Sequence, residues 1–103
     1  MGYVYLIGEN NDLDHYKIGC TNKKKIEGRI NELQTGNPNE LILVKYYETD
    51  KPYKLEMMLH NHFKYNNDIN EWFSLNKDDV DNFKNICDKY QNIIDSLKDN
   101  PFF

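Results

Sequence analysis

Two short runs of aromatic and β-branched residues near the N-terminus, Tyr3 to Ile7 and Tyr16 to Cys20, leave this end of the chain little choice of conformation. Between them lies Glu9-Asn10-Asn11-Asp12, a loop composition, so the pair reads as a β-hairpin. Side chains alternate along a strand, which groups Tyr3, Tyr5 and Ile7 on one face and Val4 with Leu6 on the other. The same rule separates Lys17 and Gly19 from Tyr16, Ile18 and Cys20. One face can therefore present the Tyr5 phenol beside the Lys17 ammonium, over a glycine that lets a backbone or a phosphate come close. A purely structural reading stands beside this one, because tyrosine is a good strand former and the chain holds 8 of them.

After Gly19, Thr21 or Asn22 offers an N-cap for a helix over about Lys23 to Thr35, closed by Gly36 and Pro38. Ile26, Ile30 and Leu33 make its apolar stripe, and Arg29 falls one position off it. That puts a guanidinium at the rim between helix and sheet, where it can grip a phosphate with two parallel hydrogen bonds. Leu41 to Glu48 reads as a third strand whose continuous apolar start suits a central position. Asp50 can cap a second helix running to about Tyr65, with Pro52 in its first turn. Leu55, Met58, Leu59 and His62 or Phe63 supply its inward face, and Glu56 and His60 stack one turn apart at its edge. Asn66 to Asn70 reads as a polar loop, and Glu71-Trp72-Phe73-Ser74-Leu75 as a short strand. A long helix then begins at Asn76 or Asp78 and ends near Lys98, with Val80, Phe83, Cys87, Tyr90, Ile94 and Leu97 in a three-four repeat. The tail Asn100-Pro101-Phe102-Phe103 is either frayed or a small hydrophobic clip.

This order predicts an α+β fold, a small three- to four-stranded mixed or antiparallel sheet flanked by helices. At 103 residues with no repeat and no linker, one domain over 1–103 is expected. The net charge of −4 argues against nucleic-acid binding by bulk attraction. Yet Lys17, Lys23, Lys24, Lys25 and Arg29 crowd one stretch, while Asp78, Asp79, Asp81, Asp88, Asp95 and Asp99 load the C-terminal third. The two cysteines, Cys20 and Cys87, are too few for a metal cluster and read as free thiols of a reducing compartment. The N-terminus lacks a signal-peptide pattern and nothing approaches a membrane span, so a soluble intracellular protein with no membrane partner is expected.

The tyrosine-bearing strand, the loop, the strand Tyr16-Lys17-Ile18-Gly19 and the following helix arginine together resemble the GIY-YIG endonuclease superfamily. LEMMLHNHF, with Glu56, His60 and Phe63, and EWF at Glu71 to Phe73 are similar to motifs of its phage-type branch. The resemblance covers about 2–76, leaving the last helix outside. It implies a DNA endonuclease that hydrolyses phosphodiesters with an activated water and one divalent metal, Mg²⁺ or Mn²⁺. On that pattern Glu56 is the metal ligand, Arg29 stabilises the charge on the phosphorus centre, and Tyr5 orients or deprotonates the water. Gly19, Lys23, Lys24 and Lys25 are then the residues that meet the DNA phosphate backbone. The pattern departs at Lys17, where the superfamily has a second tyrosine, and at Leu33, where histidine or tyrosine is common. Lys17 would favour the Tyr5 phenolate, and His60 would supply an acid, base or orienting group. No room is left for a separate recognition domain, so specificity is expected from a protein partner or a homodimer. The other functional class is a non-catalytic nucleic-acid- or protein-binding module that keeps the fold and uses the lysine-rich stretch as its phosphate surface.

Overall fold

The computed structural model describes residues 1–10, 12–98 and 100. Asn11, Asp99 and the Pro101-Phe102-Phe103 part of the tail, on which expectations were placed, lie outside the described residues.

The hairpin forms and is longer than the hydrophobic runs require: β1 spans Gly2–Glu9 and β2 Asp12–Thr21. Cross-strand pairs set Tyr5 against Gly19 and Ile7 against Lys17. Helix α1 (Ile26–Thr35) starts later than expected, because Thr21 and Asn22 do not cap it: the Thr21 hydroxyl accepts from the Lys23 amide in a tight turn, and Lys25 precedes the helix with no side-chain cap. Strand β3 (Leu41–Thr49) pairs with β1. Helix α2 (Pro52–His62) follows Lys51, and the Asp50 carboxylate expected to cap it instead binds Lys98 and Gln91. A turn of 3-10 helix at Lys64–Asn66 leads into β4 (Asn67–Ile69) and β5 (Trp72–Ser74). The last helix divides into α3 (Lys77–Asp81) and α4 (Phe83–Leu97) at Asn82. Asn76 begins α3 with a reciprocal cap: its side chain accepts from the Asp79 amide at 2.8 Å while Asp79 accepts from its own at 3.1 Å.

The sheet has five strands in the order β3-β1-β2-β5-β4, every pairing antiparallel, rather than three or four. The extra strand is β4, read from sequence as loop. Its three residues are all exposed, so it is held by pairing with β5 and not by burial. Strand β3 lies at the edge instead of the centre, although its apolar start suggested otherwise. It is covered by helices on both faces, which accounts for its apolar character, while Ile42 and Tyr46 remain exposed.

Alternation along β1 and β2 separates two cores. Val4, Leu6 and Ile18 join Leu55, Leu59, Phe63, Phe73, Phe83, Cys87 and Ile94 under α2 and α4. Tyr5 and Ile7 join Ile26 under α1, with Ile30 and Leu33 at its margin. Burial of these side chains, about 1.5–3 kcal/mol for each large one, is what fixes the helices to the sheet.

Candidate active site

Tyr5 is the centre of the α1-side core and has no exposed surface. Its ring lies flat on the backbone of Gly19: a Cβ at that position would sit 2.5 Å from the phenolic oxygen and 2.6 Å from Cζ. The close approach that Gly19 permits is thus to the Tyr5 ring rather than to a phosphate, a correction to its expected role. The phenolic oxygen accepts from Arg29 Nε at 3.3 Å, so the rim position read for Arg29 does face the hairpin.

Burial raises the Tyr5 pKa against the opposing pull of Arg29. Lys17 does not counter this as expected. It shares the face of Tyr5, but it stands opposite Ile7, and its ammonium turns to Glu71 at 3.4 Å. The phenol therefore stays protonated at neutral pH, which corrects the expectation of a lysine-stabilised phenolate. Arg29 is held in its charged form, its pKa raised first by the bond to Tyr5. One of its terminal nitrogens also reaches Glu32 at 3.4 Å, and Lys23 meets the same carboxylate at 2.6 Å.

Glu56 and His60 approach from the other face of the sheet, on α2. His60 Nε2 lies 2.8 Å from the Ile18 carbonyl oxygen, a contact that requires Nε2 to carry the proton and leaves Nδ1 as the basic nitrogen. Its ring packs on Phe73 at 5.0 Å between centroids. Glu56, half-buried, lies against Cys20. Burial, and then the Glu56 carboxylate as acceptor and as charge, push the Cys20 thiol up to about 12.

The two halves meet at one rim. Strand β5 pairs with β2 only over His15 to Lys17, and the Ile18 amide makes the last link, to the Glu71 carbonyl at 3.1 Å. Beyond it, among the described residues, no strand lies on the outer side of the Gly19 to Thr21 end of β2. Cys20 stands at this free edge within electrostatic reach of Glu56, Glu71 and Arg29, and Tyr5 senses Arg29, Glu71 and Cys20. Glu71 was missed from the sequence. The Glu71-Trp72-Phe73 run was read for its aromatic residues, whereas the Lys17 to Trp72 register is what brings the preceding carboxylate to the site.

Lys24 and Lys25 are not part of this rim. They line a separate groove with Tyr3 and Tyr46.

A divalent cation is tested by the donor set. The acid at the free edge is a carboxylate, and the neighbouring thiol stays protonated, so hard oxygen donors are on offer and thiolate is not. Among the described residues no three His, Cys, Asp or Glu side chains converge on one point. Glu56 is a single carboxylate, a donor set compatible with Mg²⁺, which commonly binds through one or two carboxylates with the remainder from water and substrate phosphate.

No curated protein and no solved structure matches the chain. A family model does, that of the T5orf172 domain, over residues 2–88. This overturns the GIY-YIG resemblance. The motifs behind it were short, and the chain departs from them at Lys17 and Leu33, whereas the match extends through β5 and α3 into α4. Such a domain is a nucleic-acid-related module. The chain belongs to the T5orf172 domain family.

Proposed function

We propose that this domain is a metal-dependent DNA endonuclease whose site is the free end of β2, where Tyr5, Gly19 and Arg29 face Glu56 around the edge of the sheet. The observation that carries the reading is the half-buried Tyr5 to Arg29 bond, which fixes a permanent cation beside an open strand edge with a carboxylate across it. Arg29 binds the scissile phosphate and stabilises the charge gathering on it as water adds to phosphorus and the leaving oxygen departs with the electron pair. Tyr5 acts through Arg29, as a positioning residue that accepts from the guanidinium without ionising. His60 Nδ1 is available to take the proton of the attacking water, its orientation held by the Ile18 carbonyl. Glu56 would hold Mg²⁺ or Mn²⁺, which when bound supplies charge neutralisation and a more acidic water. Lys17, once released from Glu71, adds a second cation for the strand.

The test is nicking of plasmid and oligonucleotide DNA with and without Mg²⁺ or Mn²⁺. Glu56→Ala abolishes cleavage with thermal unfolding little changed, and Arg29→Ala lowers cleavage about 100-fold or more, measured well below its reduced Tm where circular dichroism shows the domain still folded. Equal cutting by parent and both variants ends the proposal.

A second reading, a module that binds nucleic acid without cutting it, is favoured by one observation. Tyr5 has no surface to offer a substrate, and Glu32 already occupies both Arg29 and Lys23. It is distinguished by salt-sensitive binding that survives chelation with no cleavage under any metal.

A further inference from the structure

The groove beside the candidate site has its own chemistry. It lies between the start of α1 and the outer strand β3, about 590 Å³ in volume, and is lined by Tyr3, Lys24, Lys25, Glu27, Leu43 and Tyr46. That volume is in the range that encloses a small organic ligand. The Tyr3 and Tyr46 rings meet at 73° with centroids 5.9 Å apart, and Tyr46 keeps 47% of its surface exposed. Tyr3 is locked in place, its hydroxyl donating to the Lys24 carbonyl at 3.2 Å. Lys84 reaches round the edge of the sheet from α4 and stands 5.7 Å from the Tyr46 ring centre.

The charge here departs from that of the chain as a whole. In a protein of net charge −4, neither Lys24, Lys25 nor Lys84 has a carboxylate within 4 Å among the described residues, whereas Lys17, Lys23 and Lys98 each do. Glu27 is the one acid in the lining, and Glu48 stands against Tyr3. A half-exposed aromatic ring with one ammonium over it and two more lining the groove, none of them within 4 Å of a carboxylate among the described residues, matches a flat π-system joined to phosphate. The carboxylates oppose a run of phosphates along the groove floor. One base on Tyr46, with its flanking phosphates directed at Lys24, Lys25 and Lys84, satisfies both conditions.

We infer that this groove binds an unpaired nucleotide, its base stacked on Tyr46 and its phosphates held by Lys24, Lys25 and Lys84, so that the domain prefers single-stranded or frayed nucleic acid to duplex. The inference builds on the nucleic-acid reading of the domain and does not require hydrolysis.

The experiment is fluorescence anisotropy with labelled dT and rU oligomers and a duplex of equal length, in chelator, so that binding is measured without cleavage. Tyr46→Ala weakens single-strand binding about ten-fold or more and leaves duplex binding unchanged, while Tyr46→Phe retains the parent affinity. The double variant Lys24→Ala/Lys25→Ala lowers the dependence of log K on log salt by about 1.4. Tyr46 is exposed, and unchanged thermal unfolding of each variant separates binding from folding. Equal single-strand affinity for parent and Tyr46→Ala overturns the inference, as does loss in Tyr46→Phe equal to that in Tyr46→Ala, or absence of any single-strand binding by the parent. A parent that cuts nothing yet shows the Tyr46 effect keeps the groove and removes only the nuclease.

Discussion

Replacing Gly19 by alanine puts the Tyr5 arrangement under direct strain. The new Cβ would lie 2.5 Å from the Tyr5 hydroxyl oxygen and 2.6 and 2.7 Å from two carbons of its ring, on a side chain that has no exposed surface, so either the ring or the strand must move. Overpacking of this kind costs about 1–3 kcal/mol, and a loosened bond between phenol and guanidinium adds up to about 1.5–3 kcal/mol. Since Arg29 is partly solvated, the lower part of the second range applies, and the sum is about 3 kcal/mol. At about 4–8 °C per kcal/mol for a domain of this size, Tm falls by about 12–24 °C. The sign is informative. Gly19 has no positive φ, so without the clash alanine would stabilise the fold by about 0.4–1 kcal/mol through the unfolded chain. Thermal unfolding by circular dichroism reads the shift. The control is Tyr5→Leu, which removes the outer ring atoms: in that background Gly19→Ala changes Tm little. A Tm within about 2 °C of the parent, or equal losses in both backgrounds, would refute the packing argument.

Other consequences are open to simple measurements. Phe83→Ala, at a fully buried position where α4 meets the sheet, lowers stability by about 3–5 kcal/mol in a denaturant titration. Cys20, with its thiol at about 12, reacts slowly with a disulfide reagent at neutral pH, and Glu56→Gln speeds that reaction by removing a negative charge and offering the thiolate an amide donor; an unchanged rate would separate the two residues. His15 has Asp12 at 2.8 Å from one ring nitrogen and Asp68 at 2.9 Å from the other, an arrangement that suits imidazolium. The Asp12 bond raises the His15 pKa, so its contribution is complete below about pH 6.5 and disappears as pH rises through the higher folded value. Asp12, lowered by the Asp14 amide and then by His15, contributes above about pH 4 and loses that contribution as pH falls through its folded value. His15→Gln should therefore flatten the decline in Tm between about pH 6 and pH 8, and a parent with no decline there would contradict the geometry.

What could be read from the chain followed from burial. The hairpin sends alternate residues into two cores, and α1, α2 and the stripe of α4 each bury one periodic face; period is visible without coordinates. β4 has no such face; Asn67 holds it by bonds to the Asn70 and Trp72 carbonyls, which no pattern announces. The division at Asn82 was hidden for a related reason, since Val80 and Phe83 keep the apolar repeat running through the break. At the candidate site, the rim position of Arg29 came from spacing within one helix. The capture of Lys17 by Glu71, and of Arg29 and Lys23 by Glu32, depended on cross-strand register and on competition among charges. The single-letter motifs carried their residues to roughly the right elements while pointing to a different family from the one that matches.

The sheet ends unevenly. On one side is β3, nine residues long, its outer hydrogen-bonding groups facing no other strand among the described residues; on the other is β4, three residues long. Main-chain pairing across β3 would join two copies back to back and leave outward the short β4 and the free Gly19 to Thr21 end of β2, each a poor template for a third copy. The fold thus carries a built-in stop against endless stacking: recruitment through the backbone terminates at a pair, and growth into fibrils would first require β4 and β5 to come away.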